Sequence, residues 1–441
     1  MQNQVQYVLR TVEERGVRFV QLWFTDVLGR HKAFHVTPAE LEDALDDGMT
    51  FDGSAIDGFS RSRESDVLAR PDLTTFQLLP WHESGEGVAR VFCDIVNTDG
   101  SVFEGCPRQQ LRRVLGDAHD KGYTFYVAPE LEYFYFSDIE GARGPVPVDN
   151  GSYFDLLPDN AGSVLRRQTV LTLEEMGIGV EHAQHEDAPG QYEIDLRYTD
   201  ALTMADHVMT ARHVIKELAR QAGLVASFMP KPIFGDNGSG MHVHQSIWKG
   251  GKPVMAGNKY ADLSQECLWY IGGIIKHAKA LNAFTNPSTN SYKRLVPGYE
   301  APVLLAYSAR NRSASCRIPW TNNPKAKRVE VRFPDPTANP YLAFAAMLMA
   351  GLDGIQNKID PGAAMDKDLY DLPPKELKKI PTVCGSLREA LQNLDKDRAF
   401  LKAGGVFNDD FIDSYIELKM TEVIRFEHTP HPVEYEMYYS A

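Results

Sequence analysis

Four short segments of the chain alternate hydrophobic and ionic side chains with a period of two, the pattern of a β-strand with two different faces. In the segment 127–134, Glu130 and Glu132 share one face, and Leu131 and Tyr133 share the other. The other three segments are 190–197, 241–246 and 328–333. Together they predict one sheet whose ionic face lines a cavity instead of packing into the core.

The residue types on these ionic faces indicate a metal site. They are Glu130 and Glu132; Glu193 and Asp195; His242, His244 and Ser246; and Arg328, Glu330 and Arg332. A single alternating strand is usually half-exposed to solvent, but solvent-facing strands favour Lys and Thr over paired glutamates and imidazoles. Adjacent carboxylates raise each other's pKa, and a divalent cation between them removes that cost.

Glu186 joins the candidate ligands because it precedes the second strand and can bend over the cavity. The full set of candidate metal ligands is Glu130, Glu132, Glu186, Glu193, His242 and Glu330. Carboxylates with one imidazole suit Mg²⁺ or Mn²⁺ better than structural zinc, which prefers cysteine. For each residue taken singly, the alternative is a surface carboxylate.

The first hundred residues predict a small α+β domain. The pattern favours a helix over 4–14 that stops at Gly16, then a hairpin of 17–25 and 30–36. Residues 37–40 (TPAE) predict a capping box that starts a helix ending near Gly48. Short strands follow at 76–79 and 89–95.

Cys106-Pro107 is the predicted boundary between a domain of residues 1–106 and a second domain of residues 107–441. Helices are predicted at 108–121, 160–176, 202–221, 262–281 and 339–358, and the tail 366–441 has a largely helical pattern. The longest apolar run, 341–352, is too short to cross a bilayer and predicts a buried helix. The fold class is therefore α+β.

Composition narrows the possible partners. The 441 residues carry a formal net charge of −14, which argues against nucleic acid or an anionic membrane as a partner. Five scattered cysteines without CxxC spacing indicate reduced thiols. The N-terminus has no signal-peptide pattern, so we expect a cytoplasmic protein.

A group of arginines adds a second kind of chemistry to the carboxylates. Its members are Arg294, Arg312, Arg317, Arg328 and Arg332. The planar guanidinium suits carboxylate and phosphate groups, although in an acidic chain arginines can simply pair with glutamates. Cations, arginines and loop donors together favour phosphoryl transfer from a nucleoside triphosphate. The chain has no GxxxxGK[ST] motif, and the glycine-rich loop 235–240 is either a ligand-binding loop or only a turn.

Five motifs resemble those of type I glutamine synthetases, in the same order along the chain. They are FDGSAI (51–56), PELE (129–132), NGSGMH (237–242), KRLVPGYE (293–300) and VEVRFPDP (329–336). The short interval between Glu132 and Tyr153 resembles the short, alpha-like subtype of that family. The resemblance implies an N-terminal β-grasp domain and a catalytic domain with a curved antiparallel active-site sheet packed by helices.

The resemblance also implies an assembly and a set of ligands. The assembly is a homododecamer of two stacked hexamers with active sites between subunits, and each site holds two or three Mg²⁺ or Mn²⁺ ions with ATP as co-substrate. One metal site matches Glu132, Glu186 and Glu193, and the other matches Glu130, His242 and Glu330. Glutamate binding matches Asn237, Gly238, Arg294 and Arg332. ATP binding matches Glu181, Tyr198, His244, Ser246, Arg317, Lys325 and Arg328.

The resemblance also implies roles for residues in the chemical steps. Asp52 would reach a neighbouring subunit's site and take a proton from ammonium, in a pocket with Tyr153 and Glu186. Glu300 would close over a γ-glutamyl phosphate and accept another proton, and Arg312, with Arg317, would steady the transferring phosphoryl group. By sequence alone, Asp52 is also explained as a turn residue before Gly53.

Some positions depart from the family pattern or relate to regulation. Ala55 stands where the family usually has a serine near the ammonium pocket, which leaves the identity of the amine open. Tyr370 matches a tyrosine that is adenylylated in the long subtype, and Arg61 matches an arginine tied to feedback inhibition in the short one.

Three functions are compatible with the sequence. The first is ATP-dependent ligation of L-glutamate and ammonia to L-glutamine, and the second is γ-glutamyl ligation of an alkylamine or polyamine. The third is a catalytically silent relative, which loss of a metal ligand would mark, and no ligand is lost.

Overall fold

The computed structural model describes residues 2–54, 56, 58, 66–81, 87–140, 144–158, 160–297, 301–367 and 373–441. Two mixed sheets and the helices packed on them make up the described part of the chain. Within these ranges, no helix combines the length and the apolar character that a membrane crossing requires.

The N-terminal sheet contains the predicted hairpin. Its strands are β1 (Val17–Thr25), β2 (His31–Val36), β3 (Met49–Asp52), β4 (Asp66–Pro71), β5 (Gln77–Leu78) and β6 (Gly87–Asn97), in the order β2-β1-β6-β4-β3 with β5 on β6. Strand β1 pairs antiparallel with β2 and parallel with β6. The helices of this part are α1 (Gln2–Glu14) and α2 (Leu41–Asp46). Gly16 follows α1 in a left-handed conformation (φ +61°), as the predicted stop requires.

The predicted capping box at residues 37–40 is wrong. Helix α2 begins at Leu41, with Glu40 as its N-cap residue and no side-chain cap. The Glu40 N–H donates to the Thr37 carbonyl (3.1 Å), which closes a separate turn before the helix. The sequence pattern was therefore right about the helix and its end, and one turn early about its start.

The second sheet brings all four ionic segments together. Its main order is β15-β16-β17-β13-β7-β10-β9, with β8, β11 and β12 on β7 and β14 on β13. Most of these pairings are antiparallel as predicted, but β15 and β16 are parallel. Strand bounds are β7 (Tyr123–Asp138), β8 (Val146–Pro147), β9 (Val180–His185), β10 (Gln191–Leu196), β11 (Thr199–Asp200), β12 (Val225–Ser227), β13 (Met241–Lys249), β14 (Lys252–Pro253), β15 (Leu304–Ser308), β16 (Ala314–Arg317) and β17 (Val329–Val331).

The helices of this larger part agree closely with the sequence pattern. They are α3 (Pro107–Asp120), α4 (Ala161–Glu175), α5 (Ala201–Gln221), α6 (Gln265–Thr285), α7 (Ser291–Arg294), α8 (Pro340–Gln356), α9 (Pro374–Leu377), α10 (Leu387–Lys396), α11 (Asp409–His428) and α12 (Pro432–Tyr438). Helix α6 begins three residues later than predicted because the Ser264 hydroxyl accepts the Cys267 N–H (2.9 Å) and caps it there.

Helix α8 is the buried helix that the apolar run predicted, and it packs closely on α6. Its residues from Pro340 to Ala350 are almost fully buried. A Cβ at Gly273 of α6 would overlap the Ala350 carbonyl oxygen, so only glycine permits this approach of the two backbones. The closely packed helices α6 and α8 therefore form a buried layer that supports the second sheet.

Arg108 of α3 links the two parts of the chain. Its guanidinium binds Asp94 (2.8 Å) and Asp72 (2.9 Å) of the N-terminal part and Asp206 of α5 (2.8 Å). The Tyr341 hydroxyl of α8 donates to Asp206 (2.6 Å). The side chain of Arg108 is 3% exposed, so this cluster of charges lies in the interior.

His31 is expected to make the fold less stable in mildly acidic solution. Its Nε2 is inaccessible to solvent and has no hydrogen-bond partner among the described residues, and its ring packs against Trp23 (4.3 Å). Burial, with His213, Arg90, Arg212 and Lys216 nearby, holds its pKa well below the ordinary 6.5. Below pH 6.5 the unfolded chain therefore binds a proton at this residue that the folded chain does not, and folding stability falls.

The measurement is the melting temperature of wild type and of His31→Phe between pH 7 and pH 5. We expect a smaller decrease in the variant, because phenylalanine keeps the ring packing and cannot be protonated. Equal decreases in both proteins would show that His31 does not titrate in this way.

Candidate functional site

The strand register brings the predicted ionic residues face to face. Glu132 of β7 pairs with Glu193 of β10, and Glu130 pairs with His242 of β13. They line a cavity of about 750 Å³. Sequence-predicted residues that line it are Glu130, Glu132, Tyr153, Glu181, Glu186, Glu193, Tyr198, His242, His244, Ser246, Arg312, Arg317, Lys325, Arg328, Glu330 and Arg332.

Glu130 is held between two imidazoles. Its carboxylate contacts His242 Nδ1 (2.7 Å) and His244 Nε2 (2.6 Å). Burial alone would raise the pKa of Glu130, but the hydrogen bonds from His242 and His244 outweigh burial and hold it well below its usual range. This carboxylate is therefore anionic in the folded protein.

Two other carboxyl groups that line the cavity, those of Glu132 and Glu193, have raised instead of lowered pKa values. Burial and the nearby Glu186 raise the pKa of Glu132 to about 8, although the Gly240 N–H donates to it (2.8 Å). Burial and Asp195 raise the pKa of Glu193 well above its usual value. Several buried carboxylates facing one space require protons or cations to balance them.

Glu330 of β17, next to β13 in the sheet, lies between two arginines. Its carboxylate is 0% exposed and contacts Arg317 Nε and Arg332 Nη1, the latter at 3.1 Å. Burial would raise its pKa, but Arg332 and the nearby histidines lower it below its usual value. The two arginines thus keep a buried carboxylate charged beside the cavity.

The donor set fits a hard divalent cation. Within the described part of the chain, single ligand atoms of Glu130, His244 and Glu330 lie within 4.8 Å of one another. Oxygen-rich groups of this kind suit Mg²⁺ or Mn²⁺. The raised pKa values of Glu132 and Glu193 also favour a cation here, because a cation would balance the negative charge of these carboxylates.

Hydrogen bonding distinguishes the two histidines. Arg328 Nε donates to His244 Nδ1 (3.1 Å), so the His244 proton is on Nε2, which donates to Glu130. Both nitrogens of His244 are therefore engaged. Burial and Arg332 lower the pKa of His242, which favours the neutral imidazole that a cation binds. The spacing of the ligand atoms groups His244 with Glu130 and Glu330, whereas His242 as the metal ligand stays a prediction from the sequence.

Divalent cations are expected to stabilise the fold. The buried carboxylates repel one another without a cation, so Mg²⁺ or Mn²⁺ binds the folded state and not the unfolded one. At a cation concentration 100 times the dissociation constant, the gain is about 2.7 kcal/mol. The measurement is the melting temperature after chelation and after adding MgCl₂, with NaCl at equal ionic strength as the control. A melting temperature that does not respond to Mg²⁺ or Mn²⁺ would contradict a metal site.

Four of the predicted site residues that the structure describes do not line the cavity: Arg294, Gly238, Asn237 and Asp52. Arg294 is buried beside it, and its guanidinium donates to the carbonyls of Phe333 (2.9 Å) and Arg332 (3.1 Å). The Gly238 carbonyl accepts from Gln191 Nε2 (3.1 Å), which also contacts Glu132 (3.3 Å). Asn237 Nδ2 donates to Asp187 (2.5 Å).

Asp52 is exposed at the end of β3 and, within this one chain, is not among the cavity-lining residues. Its carboxylate accepts the Ser54 N–H (2.8 Å), and hydrogen bonds from Ser54 lower its pKa. This contact agrees with the turn-residue interpretation of Asp52. Ala55, Arg61, Glu300 and Tyr370 lie outside the described residues, so their predicted roles stay predictions.

Further polar residues that the sequence analysis did not select as candidate site residues lie in the cavity (Asp195, Gln184) or beside it (Gln191). Asp195 is buried, lies opposite Glu130, and binds His182 Nε2 (2.7 Å). Gln184 donates to Glu193 and Gln191 donates to Glu132. The period-two pattern had already placed Asp195 on the ionic face, but it gave no reason to prefer it as a functional residue.

Comparison with known proteins identifies the same family that the five sequence motifs resemble. The family model described as glutamine synthetase, catalytic domain, matches residues 104–438, and the one described as glutamine synthetase, beta-Grasp domain, matches residues 16–98. A glutamine synthetase of Bradyrhizobium diazoefficiens is 55% identical over 465 aligned positions that cover 98% of each chain.

Two solved structures have similar folds. The cryoEM structure of Plasmodium falciparum glutamine synthetase superimposes with a TM-score of 0.89 at 27% identity, covering 99% of this chain and 98% of that one. A structure described as a GmaS/ADP complex superimposes with a TM-score of 0.88 at 31% identity, covering 98% of this chain and 99% of that one.

Proposed function

The chain belongs to the glutamine synthetase family, and on that basis we propose that it ligates L-glutamate and ammonia to L-glutamine at the expense of ATP. The observation that carries the proposal is the convergence of carboxylates, imidazoles and arginines from separate segments on one cavity. A structural relative whose description includes ADP supports a nucleotide in this cavity.

In the first step, the γ-carboxylate of glutamate attacks the γ-phosphorus of ATP, and ADP leaves. The product is γ-glutamyl phosphate. Arg312 and Arg317, which line the cavity, would neutralise the charge on the transferring group. Lys325, Arg328, Ser246, Glu181, Tyr198 and His244 would hold the nucleotide, and Arg332, Arg294, Asn237 and Gly238 would surround the glutamate.

In the second step, ammonia attacks the acyl carbon and inorganic phosphate leaves. Asp52 of a neighbouring subunit would take a proton from ammonium, in a pocket with Tyr153 and Glu186. Glu300 would accept the second proton while it covers the acyl phosphate, because water must be kept from this intermediate. The exposure of Asp52 in the single chain supports a role toward another subunit.

Two or three Mg²⁺ or Mn²⁺ ions would supply charge neutralisation for the phosphate groups. Glu132, Glu186 and Glu193 would hold one ion, and Glu130, His242 and Glu330 another. The raised pKa values of Glu132 and Glu193 support this assignment, because they report uncompensated negative charge. We further propose a cytoplasmic homododecamer of two stacked hexamers, with residues 1–106 as the β-grasp domain and 107–441 as the catalytic domain.

A γ-glutamyl ligase for an alkylamine or polyamine is the second candidate. The observation in its favour is Ala55, which removes a hydroxyl from the expected ammonium pocket. A drier pocket would admit an amine that carries a methyl group or a longer chain.

Steady-state ADP release with glutamate, MgATP and a panel of amines tests both candidates. The panel contains ammonium, methylamine, a longer alkylamine and putrescine. We expect the highest kcat/KM with ammonium. Turnover with an alkylamine or putrescine but not with ammonium would establish the second candidate, and no turnover with any amine would refute both.

A further inference from the structure

The side-chain amide of Gln191 joins strand β7 to the glycine-rich loop 235–240. Gln191 is the first residue of β10 and is 1% exposed. Its Nε2 lies within hydrogen-bond distance of Glu132 Oε2 (3.3 Å), the Gly238 carbonyl (3.1 Å) and Ser239 Oγ (3.3 Å). Its Oε1 accepts the Ala188 N–H (3.3 Å). Both ends of this buried amide are therefore engaged by groups at the candidate site.

The backbone of Gln191 holds a further part of the site. Its N–H donates to the Ala188 carbonyl (3.0 Å), and its own carbonyl accepts the Glu186 N–H (2.8 Å). The turn that begins with Glu186 is therefore closed on Gln191, and Glu193 follows two residues later on the same face of β10. One buried residue thus adjoins all three carboxylates, those of Glu132, Glu186 and Glu193, that are predicted to hold one cation.

The glycine-rich loop is also tied directly to Glu132. The Gly240 N–H donates to the Glu132 carboxylate (2.8 Å), and the Glu132 N–H donates to the Gly240 carbonyl (3.2 Å). A Cβ at Gly238 would lie 2.4 Å from the Pro230 carbonyl oxygen, and one at Gly240 would lie 2.6 Å from Arg294 Nη2. The loop therefore packs closely between Glu132 and Arg294, which is predicted to bind glutamate, and its position depends on the groups that it contacts.

Gln184 of β9 provides a comparison within the same site. Its Nε2 donates to Glu193 and to Glu186 (3.3 Å). These two hydrogen bonds stay within β9, β10 and the turn between them, whereas those of Gln191 cross to the loop. An amide that donates to a ligating carboxylate orients it for the cation. Both glutamines are thus expected to support the cation, but of the two it is Gln191 that is placed to transmit its effect to the loop.

We propose that Gln191 is a positioning residue that couples cation binding at Glu132 to glutamate binding at the glycine-rich loop. The inference rests on the proposed function, which places a cation at Glu132 and glutamate at Asn237 and Gly238. With a cation bound, the Glu132 carboxylate has one orientation, and through the Gln191 amide it holds the Gly238 backbone. Glutamate binding then requires less ordering of the loop, and by thermodynamic linkage glutamate strengthens cation binding by the same factor.

The test measures Mn²⁺ binding to the full-length protein by calorimetry, with and without saturating L-glutamate and without nucleotide. In wild type, glutamate should lower the Kd for Mn²⁺ about fivefold or more. Gln191→Met keeps the size of the side chain without its hydrogen bonds, so it should raise this Kd about tenfold and reduce the effect of glutamate to about twofold or less. Gln184→Met is the matched control, which should raise the Kd for Mn²⁺ but keep the full effect of glutamate. In steady-state kinetics, Gln191→Met should raise the KM for glutamate about tenfold and leave the KM for ATP nearly unchanged.

The outcomes separate this inference from the proposed function. If wild type forms glutamine but glutamate changes Mn²⁺ binding equally in wild type and in Gln191→Met, or in neither, the role of Gln191 is refuted and the ligase function is not. Loss of the effect in Gln184→Met as well would also refute a specific role of Gln191. If wild type has no turnover with glutamate and any amine, the proposed function is refuted and the inference with it. If Gln191→Met does not fold, Ser239→Ala, which removes one contact between Gln191 and the loop, decides the question: an unreduced effect of glutamate on Mn²⁺ binding refutes the inference.

Discussion

Glu193→Gln is expected to lower kcat/KM for glutamine formation by about 10³-fold, on the order of 4 kcal/mol of lost transition-state stabilisation. Glutamine keeps the shape of the side chain but removes a charged oxygen that a divalent cation needs. Glu193 is buried and lies opposite Glu132 and beside Asp195, in the part of the cavity where the carboxylates are not compensated.

The same substitution is expected to stabilise the cation-free protein. Burial and the neighbouring carboxylates raise the pKa of Glu193 well above its usual value, so its negative charge costs folding free energy at neutral pH. If Glu193→Gln loses activity but, with a chelator present, melts at the same or a higher temperature than wild type, Glu193 is a metal ligand and not a structural residue. The matched control is Glu175→Gln at the exposed end of α4, which should keep wild-type activity. If Glu193→Gln has nearly the kcat/KM of wild type, the buried carboxylates of the cavity are not required for catalysis.

Arg108→Met is expected to destabilise the folded chain by about 3–5 kcal/mol, because it leaves buried carboxylates without their counter-charge. Asp72, Asp94 and Asp206 all bind this guanidinium, which is 3% exposed. Hydrogen bonds and charge from Thr74 and Arg108 outweigh burial and lower the pKa of Asp72 from 3.8 to about 2. The measurement is the urea midpoint of unfolding at neutral pH.

Arg112→Met is the matched control for Arg108→Met. Arg112 binds the same Asp72 (2.9 Å) and Asp94 (3.0 Å), but its side chain is 42% exposed. Solvent screens this pair, so the loss should stay below about 1 kcal/mol. Because Thr74, Arg108 and Arg112 together hold the pKa of Asp72 low against burial, the stability that Asp72 contributes is present above pH 3.8 and disappears as the pH falls toward 2. Equal losses in the two variants would mean that burial does not set the strength of this cluster.

Local pattern was sufficient to predict most secondary structure of the described residues. The alternation at 127–134 and 241–246 predicted strands, which the structure extends to Tyr123–Asp138 and Met241–Lys249. Asn160 and Asn339 cap helices where the pattern begins them. The exceptions depend on local hydrogen bonds that the periodicity of hydrophobic positions does not show: the turn at residues 37–40 delays α2, and the Ser264 cap delays α6.

The sequence by itself determined which side chains can meet: the period of two fixed the ionic faces of the strands, and the motif order identified the family. Only the tertiary structure decided which of them do meet. Strand register places Asp195 opposite Glu130, and the contacts of the folded chain hold the Glu130 carboxylate between His242 and His244. The physical reason is that a side-chain face is a local property of the backbone. Pairing partners, burial and pKa values depend on segments far apart in the chain that fold against one another.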